Sequence, residues 1–121
     1  MIETTFKYES SEKRPWGEYF VIHNTPDYKL KRIHVNPKGK LSYQYHHKRS
    51  EAWTIVQGTG SITLDGVEKD FTVGDTVLIP VGTKHRIENK TKQTVVFIEV
   101  QTGSYFGEDD IVRIEDDYGR D

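Results

Sequence analysis

Residues 39–58 read GKLSYQYHHKRSEAWTIVQG, a stretch in which two segments of β-strand composition flank a polar bend at residues 47–50. Alternate residues of a strand share one face, so Gln44 and His46 are predicted to point to the same side. Glu51 follows the bend at the start of the next strand and returns to that side. The stretch therefore predicts an amide, an imidazole and a carboxylate on one face of a sheet.

Residues 74–89 read GDTVLIPVGTKHRIEN, and there a strand is predicted to begin at His85, directly after a Pro/Gly turn. A divalent metal needs three or four nitrogen or oxygen ligands from different segments, and imidazole and carboxylate suit Zn, Mn, Fe, Co and Ni. The residues that supply such a set are Gln44, His46, Glu51 and His85. A histidine taken alone is more often a surface or hydrogen-bonded residue. The two stretches together predict one divalent-metal site with positions left open for water or substrate.

The rest of the chain has the pattern of an all-β protein. Gly and Pro recur between short segments rich in Val, Ile, Thr, Tyr and Phe, and no segment of helical length carries an apolar stripe. Strands are predicted over residues 16–24, 28–35, 41–46, 52–57, 61–64, 67–71, 76–79, 85–88 and 94–101. This series of short strands favours a sandwich or a barrel.

The composition restricts the class of protein. The chain has 121 residues, with 17 Lys and Arg, 19 Asp and Glu and a net charge of −2, which argues against a nucleic-acid or anionic-membrane partner. It has no cysteine, which excludes disulfides, thiolate metal sites and cysteine nucleophiles. No targeting or spanning stretch is visible, so a single cytoplasmic domain over residues 1–121 is predicted. Residues 1–13 are expected to form an N-terminal arm or edge strand, and the acidic residues 103–121 to dock as a short helix or strand.

The two quoted stretches resemble the two signature motifs of the cupin superfamily, which implies a double-stranded β-helix, or jelly-roll barrel, over nearly the whole chain. The positions that match the second motif are Gly74, Pro80, Gly82, His85 and Asn89. Those that match the first are Gly39, His46, Glu51 and Gly58. Gln44 stands where most cupins have their first histidine, and this variation is similar to the metal site of mannose-6-phosphate isomerases.

Four further stretches look like the isomerase domain of type II phosphomannose isomerases: residues 14–19, 41–53, 98–103 and 107–113, together with the ending 117–120. In that family the domain usually follows a mannose-1-phosphate guanylyltransferase domain. This chain has no Gly-rich nucleotide loop, so guanylyl transfer is not expected of it. Family members commonly have His where Lys48 and Ala52 stand, a departure that bears on the substrate more than on the metal.

The resemblance implies a metal-dependent aldose–ketose isomerase that interconverts mannose 6-phosphate and fructose 6-phosphate. The reaction needs a base at the C1/C2 proton, for which Glu51, His47 and Glu99 are the candidates. The substrate phosphate needs cations at the mouth of the barrel. The predicted catalytic residues are His47, Arg49, Glu99 and Lys31, and the predicted substrate-binding residues are Arg49, Arg86, Lys31 and Trp16. Trp16 is predicted to form either a substrate-side lid or a packing corner. Trp16 and Trp53 are tryptophans of a kind more often found in the core or at a dimer contact than as a platform for a sugar ring.

Other functions fit the same pattern. The site also suits another sugar-phosphate isomerase or epimerase, or a non-catalytic sugar-binding or regulatory cupin that partners a separate guanylyltransferase. A metal-dependent oxygenase is a third alternative, against which the glutamine ligand counts. The β-prone N-terminal segment predicts a homodimer formed through an edge strand. The motifs leave the native metal and the identity of the base open.

Overall fold

The computed structural model describes residues 5–116, which form eleven β-strands in two antiparallel sheets. The strands are β1 (Ser10–Arg14), β2 (Gly17–Asn24), β3 (Lys29–Val35), β4 (Tyr43–Tyr45), β5 (Arg49–Gln57), β6 (Gly60–Leu64), β7 (Val67–Phe71), β8 (Thr76–Ile79), β9 (His85–Glu88), β10 (Val95–Gly103) and β11 (Val112–Glu115). The larger sheet has the order β1-β2-β3-β10-β5-β8 and the smaller β11-β4-β9-β6-β7. The predicted all-β architecture is confirmed.

The two sheets pack their inner faces against each other around a single apolar core. Its largest fully buried side chains include Trp53, Phe97 and Ile55 from the larger sheet and Ile62 and Ile87 from the smaller. The rings of Trp53 and Phe97 lie 4.6 Å apart between centroids. Burial of these side chains from both sheets is the main source of the fold's stability.

Three neighbouring strands of the larger sheet change from apolar to polar inner residues towards the same end of the barrel. In register, Phe97 of β10 lies opposite Ile33 of β3 and Ile55 of β5. Two positions further along β10 the inner residue is Glu99, which lies opposite Lys31. Alternation along each strand therefore builds an apolar core at one end and a buried polar site at the other.

Strand β5 begins earlier than predicted, at Arg49 rather than at residue 52. The extension exists because β10 runs on to Gly103, which pairs with Arg49 and continues the ladder. Arg49 and Glu51 consequently lie on one face of a regular strand, and the predicted bend is shortened. Strand β4 is shorter than predicted, so His46 lies just beyond its end.

The first and last secondary-structure elements of the described chain are β1 and β11. β1 pairs only with β2 and forms an edge of the larger sheet, which agrees with the edge strand predicted within residues 1–13. β11 pairs with β4. Of the short helix or strand expected within residues 103–121, the described part therefore contains a strand. Residues 1–4 and 117–121 lie outside the described part of the chain. Within residues 5–116, no helix has the length and apolar character needed to cross a membrane.

Candidate metal centre and adjoining cavity

Three predicted ligands meet at the polar end of the barrel. His46, Glu51 and His85 are all buried, and each offers one ligand atom within 4.8 Å of the others. His46 Nε2 lies 3.3 Å from Glu51 Oε2, and His85 Nε2 lies 3.9 Å from Glu51 Oε1. The residues come from both sheets, so folding brings together the two stretches that the motifs singled out. We refer to them below as the His–Glu–His triad.

Both histidines of the triad are oriented through their second ring nitrogen. Nδ1 of His46 donates to the backbone carbonyl of Asp110 at 2.6 Å, and Nδ1 of His85 donates to that of Thr83 at 2.8 Å. This leaves each Nε2 as an unprotonated acceptor close to Glu51. Ligating histidines commonly have such a second partner, because it fixes the tautomer and the ring orientation.

The triad fits a divalent cation electrostatically. Burial, reinforced by the charge of Arg49, lowers the pKa of His46 to about 4, and burial lowers that of His85. Both imidazoles are therefore neutral at physiological pH, the state in which they ligate metals. His85 Nε2 is buried and has no hydrogen-bond partner among the described residues. A buried acceptor without a partner is costly, and a cation at this position would satisfy it.

Gln44 lies beside the triad. It is opposite His85 in the register between β4 and β9, and opposite residues of an antiparallel pair project to the same side. Its Oε1 accepts a hydrogen bond from Ser42 Oγ at 2.9 Å. Its role as a fourth ligand stays a prediction.

Arg49 connects the triad with an adjoining cavity. Its Nε donates to Glu51 Oε2 at 2.7 Å, and its Nη2 lies 3.3 Å from His46 Nε2. Its Nη1 is buried and unpartnered within residues 5–116. A cation in the triad and the Arg49 guanidinium would compete for the same Glu51 oxygen, and the free Nη1 is a donor for an anion in the cavity.

Trp53 holds two carboxyl groups together beneath the cavity. Its indole Nε1 donates to Glu51 Oε1 at 2.9 Å and to Glu99 Oε2 at 3.0 Å, while Glu99 Oε1 accepts from Gln101 Nε2 at 2.7 Å. Burial and the neighbouring charge of Glu51 raise the pKa of Glu99 to about 7. Glu99 is thus a carboxyl group that gains or loses a proton near neutrality, which suits acid–base chemistry.

Replacing Trp53 by Phe is expected to lower the free energy of unfolding by about 2–4 kcal/mol, because two buried carboxyl groups lose their shared donor and the core loses volume. Chemical denaturation of the variant beside Trp16→Phe measures the difference. The Trp16 indole is also buried, and its loss is expected to cost about 1–2 kcal/mol. Equal losses in the two variants would contradict the role assigned to the Trp53 N–H.

The adjoining cavity has a volume of about 150 Å³ and a mixed lining. Among its lining residues are Trp16, Lys31, Gln44, Arg49, Glu99 and Glu108. Trp16 belongs to the apolar core cluster as well, so it is both a packing residue and part of the cavity wall. Four predicted catalytic or substrate-binding residues, namely Lys31, Arg49, Glu99 and Trp16, therefore share one cavity beside the triad with the predicted ligand Gln44.

Two residues that the sequence analysis did not select complete the charge pattern. Glu108 Oε2 lies 2.7 Å from Lys31 Nζ and 3.3 Å from Lys29 Nζ. Lys31 Nζ also lies 4.2 Å from the centroid of the Tyr19 ring. Lys29 was detectable, because alternation places it on the face of Lys31, and Glu108 lies in one of the stretches that carried the family resemblance.

Burial raises the pKa of Glu108, but the charge of Lys31 and its hydrogen bond outweigh this effect and lower it to about 2. A carboxyl group with a depressed folded-state pKa stabilises the fold above its unfolded pKa and loses that contribution as the pH falls. The side chain is 40% exposed, so we expect about 1–2 kcal/mol after solvent screening. Glu108→Gln should cost this amount at pH 7 and progressively less between pH 4.5 and 2. Unfolding of both proteins at several pH values tests this, and a pH-independent difference would contradict it.

Two predicted site residues lie elsewhere. The His47 side chain is exposed and packs on the Tyr45 ring at 5.3 Å, because it follows His46 directly and projects to the other side. Arg86 points away from His85 for the same reason. Its Nε donates to the Leu41 carbonyl at 3.1 Å, and its Nη1 lies 3.3 Å from Glu115. Neither residue lines the cavity, so the structure does not bring them to the other site residues; His47 as a candidate base and Arg86 as a substrate-binding residue stay predictions.

Comparison with known proteins gives a consistent set of relatives. A family model described as "Mannose-6-phosphate isomerase C-terminal" matches residues 3–116. The chain is 45% identical over 107 residues to a mannose-1-phosphate guanylyltransferase of Klebsiella pneumoniae, a match covering 88% of this chain and 23% of that protein. It is 42% identical over 117 residues to a mannose-1-phosphate guanylyltransferase of Escherichia coli, covering 97% and 25%. The chain spans about a quarter of the length of these relatives.

Solved structures share the fold at low sequence identity. Capsular polysaccharide assembling protein CapF from Staphylococcus aureus superposes with a TM-score of 0.76 and 24% identity, over 93% of this chain and 33% of that chain. A Klebsiella pneumoniae protein with a double-stranded β-helix domain superposes with a TM-score of 0.71 and 19% identity, over 80% and 83%. The predicted cupin double-stranded β-helix is confirmed.

Proposed function

The chain belongs to the mannose-6-phosphate isomerase C-terminal family, and from that premise we propose that it is a metal-dependent isomerase that interconverts mannose 6-phosphate and fructose 6-phosphate. The observation that carries this proposal is the buried His–Glu–His triad beside a cavity that holds cations and a carboxyl group titrating near neutrality. The residues that would hold the metal are His46, Glu51 and His85, with Gln44 beside them.

Aldose–ketose isomerisation moves a proton between C2 and C1 of the sugar and shifts the carbonyl group between these carbons. Negative charge builds on oxygen in the enediolate, and a bound divalent metal supplies a Lewis acid that stabilises this charge. The chain itself must supply a base for the carbon-bound proton and cations for the phosphate.

Glu99 is the base in this proposal. It lines the cavity, whereas His47 lies outside and Glu51 is assigned to the metal. Its two oxygens are oriented by the N–H groups of Trp53 and Gln101. Ionised Glu99 takes the proton from C2 onto a carboxylate oxygen and returns it to C1, and its pKa of about 7 lets it serve both steps. The proton of the C2 hydroxyl passes to the C1 oxygen in the same conversion, so that the carbonyl group moves from C1 to C2.

The phosphate is bound by the cationic side of the cavity. Lys31 and Arg49 line the cavity, and Arg49 Nη1 is a buried donor that no other described group uses. A guanidinium donor and an ammonium group together suit a phosphate of about two negative charges. Lys29 lies beside Lys31 and adds a third cation.

A coupled assay of fructose 6-phosphate formation tests this function on the isolated chain, after chelation and re-addition of single divalent metals. We expect turnover of mannose 6-phosphate with metal, none without it, and none of glucose 6-phosphate. Turnover of another sugar phosphate instead would mean that the chain is a different sugar-phosphate isomerase or epimerase. Sugar or metal binding with no turnover of any hexose phosphate would support a non-catalytic cupin and contradict our proposal.

We also propose two partners for the chain, a second copy of itself and a separate guanylyltransferase. β1 has a free edge within the described sheet, and we propose that it pairs with a second copy of the chain to form a homodimer. Its relatives are mannose-1-phosphate guanylyltransferases, so a separate guanylyltransferase is the second proposed partner. A cytoplasmic location remains a prediction.

A further inference from the structure

The ammonium pair of Lys29 and Lys31 is partly neutralised by a carboxylate of the protein itself. Both Nζ atoms approach the same oxygen, Oε2 of Glu108, at 3.3 and 2.7 Å. The two lysines are buried on β3, with 8% and 3% of their surface exposed, whereas Glu108 lies in the loop between β10 and β11. A cation pair built into the sheet is therefore occupied by a carboxylate from a loop.

Glu108 is the replaceable carboxylate of the site. The cations of this region face three carboxyl groups, namely Glu51, Glu99 and Glu108. Glu51 and Glu99 lie on inner strands, where Trp53 donates to both, and both residues are only 4% exposed. The Glu108 side chain is 40% exposed. An anion arriving from solvent can take the place of Glu108 without disturbing a strand.

The loop that carries Glu108 is fixed at both ends by backbone contacts. Its middle is held by Lys29 and Lys31, which lie on β3. The Ser104 N–H donates to the Lys48 carbonyl at 3.0 Å, and the Asp110 carboxylate accepts the Lys48 N–H at 2.9 Å. Between these anchors, Lys29 donates to the Phe106 carbonyl at 3.3 Å and to Glu108. Two further contacts hold the segment: the Asp110 N–H donates to the Gly107 carbonyl at 3.2 Å, and Lys48 Nζ lies 5.2 Å from the centroid of the Tyr105 ring. Loss of the lysine contacts would therefore loosen residues 105–109 and leave both anchors in place.

We propose that Glu108 is an internal competitor for the substrate phosphate, and that residues 105–109 form a lid that lifts when a phosphate displaces Glu108 from Lys29 and Lys31. This inference rests on the proposed function. A phosphate presents several oxygens and about two negative charges, so it satisfies both ammonium groups where a single carboxylate oxygen now serves them. Phosphate entry and lid release are one exchange of anions.

Calorimetric titration of metal-free protein with inorganic phosphate tests the competition. Glu108→Gln removes the competing charge and is expected to bind phosphate roughly fivefold or more tightly than the wild type. Glu68→Gln is the matched control, because it removes an exposed carboxylate that pairs with a lysine, Lys90, away from the cavity, and its affinity should equal that of the wild type. Lys31→Met should weaken binding severalfold. Unchanged or weaker phosphate binding by folded Glu108→Gln would overturn the proposal.

Amide hydrogen exchange tests the lid. Residues 105–109 of the wild type should exchange faster when phosphate is bound, whereas slower exchange would mean that the loop closes over the anion and would overturn the proposed release. Turnover of mannose 6-phosphate is measured on the same preparations. If Glu108→Gln binds phosphate more tightly but the wild-type protein does not turn over mannose 6-phosphate, the proposed function fails and the competition between Glu108 and phosphate is retained. If the wild-type protein turns over mannose 6-phosphate but Glu108→Gln binds phosphate with unchanged affinity, the proposed function is retained and the competition fails.

Discussion

Replacing Glu99 by glutamine is expected to lower kcat for mannose 6-phosphate isomerisation by about 10²–10⁴-fold, the usual contribution of a positioned acid–base group. Glutamine has the shape of the protonated carboxyl group and still accepts a hydrogen bond from Trp53, so the fold and the cavity should persist. KM should change little, because the proposed mechanism assigns Glu99 to a carbon-bound proton and assigns phosphate binding to Lys31 and Arg49.

Two controls make this result interpretable. Glu68→Gln removes an exposed carboxylate that pairs with Lys90 on the smaller sheet, and its kcat should equal that of the wild type. Exchange of the sugar C2 proton with D₂O, followed by NMR, reports proton transfer without the coupling enzymes and should be lost in Glu99→Gln. Wild-type exchange and turnover in that variant would assign the base elsewhere.

The second large effect concerns the triad. His85→Ala removes a proposed ligand whose Nε2 has no hydrogen-bond partner among the described residues, and we expect metal affinity and turnover at limiting metal each to fall by at least about 100-fold. The matched control is His23→Ala, because His23 is exposed and bonds to Tyr28 at 2.7 Å. A variant lacking His85 that retains wild-type affinity and turnover would show that the triad does not hold the functional metal.

The convergence of the triad was predictable because it depends on two regular features. Alternation along a strand decides which residues share a face, and the spacing of the two motifs identifies the segments that meet. His46, Glu51 and His85 follow these rules, although His46 and His85 are 39 residues apart in the sequence. The apolar-to-polar change along the inner faces then follows from local patterning.

The same alternation places His47 and Arg86 away from the cavity. Each residue directly follows a triad histidine in the sequence, and its side chain therefore projects to the opposite side. The chemical character of an imidazole or a guanidinium made both residues attractive candidates. The direction in which each side chain projects was the stronger argument. It places His47 in solvent beside Tyr45 and Arg86 in an ion pair with Glu115.

The remaining parts of the site depend on long-range contacts that local patterns do not encode. Glu108 reaches Lys31 across 77 residues, and that pairing is set by where a loop crosses the end of the barrel. Trp53 was expected to be a core or dimer contact, and it is a core residue. Its hydrogen bonds to Glu51 and Glu99 depend on the register of β5 and β10, which the sequence pattern does not specify.

Titration of the metal-free chain with Co²⁺ tests the central claim most directly, because the visible absorption of bound Co²⁺ reports its ligands without any assay of turnover. We expect saturation at about one ion per chain, with absorption bands that are lost in both His46→Ala and His85→Ala and retained in His23→Ala. Absence of saturable binding, or stoichiometric binding that survives both substitutions, would contradict a metal centre built by the His–Glu–His triad.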